Sequence, residues 1–151
     1  MKLLAHSMMT WLLALTLLAG WPALAEEDSS AAQVKEDARE LINSLSRYSA
    51  EQRDQALEKA NEALTRLDKR IEKLDARIRD RWENMDEERR QRAREHLEAL
   101  REQRMKLAEW YGSMKTGASQ AWEDIKRGFT DAYEAFGRAW EDSEESLEAG
   151  Q

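Results

Sequence analysis

The residues of this 151-residue chain that could do chemistry are few: one histidine beyond the first 25 residues, paired acids at helical spacing, and one arginine-rich run. No cysteine is present, so thiolate nucleophiles, disulfides and thiolate metal sites are excluded. His96 would have to serve any Ser-His-Asp arrangement, and nothing local orients it. Its helical neighbours are Arg92, Ala93, Ala99 and Leu100, so no carboxylate can join it as a metal ligand. The expected place for His96 is a seam edge or the surface. Asp124 with Asp131 and Glu141 with Glu145 could hold a hard cation, but they lack a clustered loop geometry. They read as a solvated acidic face. With no glycine-rich phosphate loop either, the sequence predicts no catalytic residue, no metal and no cofactor, hence no enzyme.

The arginine-rich run Arg89-Arg90-Gln91-Arg92-Ala93-Arg94 precedes Leu97, Leu100 and Leu107 and imitates the basic region of a zipper. Glu87, Glu88, Glu95 and Glu98 surround it, and the chain holds 31 acids against 24 bases. Nucleic acid is therefore not an expected ligand. An anion-binding or partner-docking patch is the reading left for these arginines.

A third constellation is aromatic. Seven of the nine aromatic residues after position 25 lie between Trp110 and Trp140. They follow an 11-residue repeat over 117–127, 128–138 and 139–149, in which Gly117, Gly128 and Ala139 correspond. Eleven residues in three turns keep a helix face nearly straight. At ~100° per residue, Trp122, Ile125, Phe129, Tyr133, Phe136 and Trp140 share one stripe. Such a stripe either packs onto the rest of the chain or, when exposed, binds something apolar: an unfolded client, a partner helix or a lipid surface. Its acidic polar face disfavours anionic lipid, because surface helices carry Lys and Arg there.

The elements that must position these groups are helical. One proline, six glycines, 36% charged residues and a mean hydropathy of −0.87 suit long helices with narrow apolar seams, and exclude a polytopic membrane protein. Ser30 with Gln33 and Ser49 with Gln52 are capping boxes. The first opens a short helix whose apolar face is Val34, Ala38, Leu41, Leu45 and Tyr48. After the second, Leu57, Ala60, Leu64, Leu67, Ile71, Leu74 and Ile78 alternate at three and four, a heptad seam. The seam loses register after Ile78. Asn84 with Glu87 offers a new cap, which places a hairpin near residues 83–86, and a single extended helix pairing with a second chain is the rival. The returning helix carries Ala93, Leu97, Leu100, Leu107 and Tyr111, with Arg104 interrupting the stripe. The fold class is all-α: a coiled-coil helical hairpin with an additional amphipathic C-terminal helix, as a small elongated bundle or an extended helical oligomer.

Residues 1–25 read as a secretory signal peptide. Lys2 leads a short apolar run, Pro22 breaks it, and Ala23-Leu24-Ala25 is the small-x-small site before Glu26. Removing them changes the formal charge from −7 to −8. An exported, cysteine-free chain fits a bacterial periplasm. The expected order is a signal peptide (1–25), a short amphipathic helix (26–49), the hairpin (50–112), the aromatic helix (113–141) and a fraying acidic tail (142–151).

The run Ala121-Trp122-Glu123-Asp124-Ile125-Lys126-Arg127-Gly128-Phe129, continued by Ala132-Tyr133 and Phe136, resembles a loosely defined family of small bacterial coiled-coil stress-response proteins. These place a charged Leu/Ile/Ala heptad segment before a Trp/Gly 11-residue tail. That resemblance implies an all-helical, non-catalytic protein. Ser49-Ala50-Glu51-Gln52-Arg53 also looks like the Leu-Thr-x-x-Gln turn of periplasmic helical-hairpin stress chaperones, with Tyr48-Ser49 in place of Leu-Thr. Together these readings predict protein–protein interaction in the envelope, with a partner, an unfolded client or a second copy. Lipid association at a membrane surface is the alternative.

Overall fold

The computed structural model describes residues 30–148. Ala23, Ala25 and Glu26, the expected cleavage site, lie outside the described residues. The order is α1 (Ala31–Ser46), α2 (Arg53–Arg81), α3 (Glu87–Thr116) and α4 (Trp122–Glu148). Single 3₁₀ turns, Ala50–Gln52, Trp82–Asn84 and Ser119–Ala121, join α1 to α2, α2 to α3 and α3 to α4. Connections this short make each helix antiparallel to the next. The four close into a ring in which α4 packs against α3 and returns to α1. Of hairpin and extended rod, the chain adopts the hairpin.

Local chemistry sets the helix starts. The Ser30 hydroxyl accepts the Gln33 N–H at 3.1 Å and opens α1. The Ser49 N–H donates to the Gln52 side-chain oxygen at 3.1 Å, one arm of the expected box. At the hairpin the cap is Asp86, which accepts the Arg89 N–H at 2.8 Å, rather than Asn84. Asn84 is consumed in the 3₁₀ turn, two residues too early to face the orphan amides of α3.

Three boundaries differ from the sequence reading. Helix α1 ends at Ser46, short of Tyr48. Helix α3 runs through Gly112 and stops at Thr116, so the aromatic helix begins at Trp122 and not at 113. One glycine inside a helix costs only ~1 kcal/mol, and the packing of Met114 outweighs it. The third difference is the acidic end, which does not fray from Asp142: α4 continues to Glu148, with Ser143 buried and Leu147 packed against the core. Glu144 explains it. Its carboxylate accepts the Ala31 N–H at 2.7 Å at the positive end of α1 and the Trp140 indole N–H at 3.1 Å.

The seam residues Leu64, Leu67, Ile71, Leu74 and Ile78 are buried, and Leu57 is half-buried at the margin. Ala56, Ala63 and Arg70 join them, because α2 faces α1 on one flank and α3 on the other. Among the described residues no helix is long and apolar enough to cross a membrane.

Candidate functional site

Every residue of the aromatic stripe is inside. Phe129, Tyr133, Phe136 and Trp140 have no exposed surface, and Trp122 and Ile125 keep only a few per cent. The stripe that is the candidate for partner binding by its spacing is thus the core face of α4. Burial of each such side chain is worth roughly 1.5–3 kcal/mol. Ala56, Ala60 and Ala63 in the first half of α2 are fully buried in the same core. Phe136 and Trp140 stack with centroids 6.2 Å apart, and Phe129 leans on Tyr133 at 6.3 Å.

Polar groups lock the stripe at both ends. The Tyr48 carbonyl, left over beyond the end of α1, accepts the Trp122 indole N–H and the Lys126 ammonium, each at 2.9 Å. Arg53 lies 5.5 Å from the centre of the Trp122 ring and donates to the Gly117 carbonyl at 2.6 Å. In the middle, Arg70 on α2 pairs with Asp37 on α1, both nearly buried. Beside them the Tyr133 hydroxyl is buried without a hydrogen-bond partner among the described residues. Burial pushes that phenol up to about 12, against the opposing pull of the Arg70 and Arg66 cations.

His96 is half-exposed on α3, as its neighbours suggested. One acid of each pair goes to an ion pair: Asp124 to Arg127 at 3.3 Å and Glu141 to Lys35 at 2.7 Å. The arginine-rich run caps the hairpin end. Arg90 and Arg94 bracket the Trp82 ring at 5.4 and 5.1 Å, while Arg92 and Arg94 meet Glu88 and Glu87. A cavity of about 350 Å³ beside them is lined by Arg81, Arg89, Met85 and Leu147.

The exposed apolar surface lies elsewhere. Met105 on α3 is 64% exposed and Trp110 is 36% exposed; these are the exposed large hydrophobic residues among the described ones. Met105 and Ala108 stand in a groove of about 430 Å³ between α2 and α3, floored by Ile71. One wall is acidic, with Asp68, Glu72 and Asp75 on α2; the other is basic, with Arg101 and Arg104 on α3. Arg104 grips Asp68 with two bonds, 2.7 and 3.0 Å, which explains the break it makes in the α3 stripe. This groove is not legible in the apolar periodicity. Its only signal was Met105 at a position where the heptads expect charge.

No protein-family model matches the chain, and no curated protein or solved structure matches it.

Proposed function

We propose that the protein is a non-enzymatic helical bundle, exported to the bacterial periplasm, that acts by protein–protein contact. The tie to stress response comes from its resemblance to the small bacterial coiled-coil proteins with a Trp/Gly tail. The observation that carries the reading is the α2–α3 face, where Met105 stands two-thirds exposed beside the basic residues of α3 and across from the acidic residues of α2. Folded partners recognise such a surface through one buried apolar anchor and matched charges at its rim. An unfolded client needs broader apolar area, and a lipid surface needs an exposed apolar helix face. The aromatic stripe, which would have served either, is occupied in holding the bundle together.

A photo-crosslinking residue placed at position 105 tests this in living cells of the source organism. The reading expects a defined adduct from position 105, its loss when Arg101→Glu is added, and none from position 134 on the exposed side of α4. Equal labelling at 105 and 134, or no adduct from either, contradicts it.

A further inference from the structure

We propose that the partner seated on the α2–α3 groove is a second copy of this chain, related by a two-fold axis running along the bundle. The inference rests on the protein-contact reading above and names its partner. Helices α2 and α3 are antiparallel, and Asp68–Arg104 and Asp75–Arg101 mark two matching heights on them. A two-fold axis parallel to the helices leaves heights unchanged and exchanges left for right. The acidic wall of one copy, Asp68, Glu72 and Asp75, then faces the basic wall of the other, Arg101 and Arg104, at the same level. Met105, which stands on α3 with the basic wall, then faces α2 of the other copy, and each copy covers the other's exposed thioether. This is the self-complementary pattern an isologous interface requires. No shift along the helices is needed.

Glu72 supplies a second observation. It is exposed, and it makes no ion pair among the described residues, although cations stand across the groove at its own height. In the two-fold arrangement its carboxylate faces Arg101 or Arg104 of the other copy. Asp75 pairs with Arg79 on its own helix at 3.3 Å and reaches Arg101 only at 3.9 Å, so the Arg101 guanidinium has donors to spare. The occupant matched on charge, height and handedness at once is the chain itself.

Sedimentation equilibrium of the purified protein tests the inference. The native protein should associate to a dimer whose affinity falls as salt is added. Glu72→Lys should weaken the dimer at least ~10-fold, since symmetry counts the substitution twice. It leaves the protomer's helicity unchanged because no contact within the chain is lost. The charge-swapped pair Glu72→Lys with Arg101→Glu should recover most of the affinity, and Met105→Glu should abolish it. A native protein that stays monomeric overturns the inference, as does a dimer indifferent to both Glu72→Lys and Met105→Glu. If the protein is monomeric yet position 105 still crosslinks to a different protein, only the second copy is wrong. If it is monomeric and no adduct forms, the protein-contact reading fails with it.

Discussion

The ring of Trp110 on α3 rests directly on the bare backbone of Gly128 on α4, so closely that a β-carbon at 128 would stand 2.5 Å from the ring. Two helices can approach this way only where one of them has no side chain. Gly128→Ala should therefore destabilise the native protein by roughly 1–2 kcal/mol as the indole is forced outward. In a Trp110→Ala background the same change should stabilise by about 0.5–1 kcal/mol, because only the gain in helix propensity is left. Urea unfolding of the four proteins gives the cycle, and a Gly128→Ala effect of the same sign in both backgrounds would show that the contact is incidental.

Gly112 and Gly117 should separate in the same way. A β-carbon at Gly112 meets nothing within 4 Å, and the residue is inside α3. Gly112→Ala is expected to stabilise by roughly 0.5–1 kcal/mol. At Gly117 the new carbon would collide with the Ile125 side chain and stand 2.6 Å from the Ser113 carbonyl oxygen. Gly117→Ala should cost about 1–3 kcal/mol, since backbone cannot yield as a side chain can. Thermal unfolding followed by circular dichroism distinguishes the two.

Tyr133 makes stability sensitive to alkali. An ordinary phenol titrates near 10, and burial pushes that of Tyr133 up to about 12. A group whose folded value is raised contributes fully below the unfolded value, and that contribution is lost as pH rises from 10 through about 12. Tyr133→Phe should remove this part of the alkaline loss. At neutral pH it should be neutral or stabilising by up to ~1 kcal/mol, because the hydroxyl it deletes is buried and unpartnered. A loss of stability at neutral pH would mean that the hydroxyl has a partner.

Much of this architecture was legible in the residues, and the reasons it stopped being so are physical. The 3–4 alternation from Leu57 to Ile78 located α2, and the repeat from Gly117 to Leu147 located the aromatic stripe of α4 but left open whether it faces inward. Burial on a second flank was harder to see, because Ala56, Ala63 and Arg70 differ in type though they share heptad spacing. Arg70 reads as solvent-facing until Asp37, 33 residues earlier, is brought beside it. The reach of Glu144 to the start of α1, across 113 residues, cannot be read from local pattern, and without it the end of α4 reads as a tail. The contact surface was missed for a related reason: exposure of Met105 is a property of the closed ring.

The Asp37–Arg70 pair should behave as a buried ion pair does. Asp37→Ala is expected to cost about 3–5 kcal/mol, because it takes the carboxylate partner from a nearly buried guanidinium near Tyr133. Replacing both together, Asp37→Leu with Arg70→Met, should restore most of that loss. Denaturant midpoints decide it. Equal costs for the single and the double change would argue that packing, and not charge, sets the value of this site.

The claim on which the account turns is that α4 is the core of the bundle and that contact is made by the outer face of α2 and α3. Hydrogen exchange of the purified protein measures it most directly. Amides over 125–144 of α4 should exchange as slowly as those over 60–78 of α2, in one cooperative unit. An α4 that exchanges orders of magnitude faster than a still-protected α2–α3 hairpin would contradict the account, and would return the aromatic stripe to the surface as the binding element.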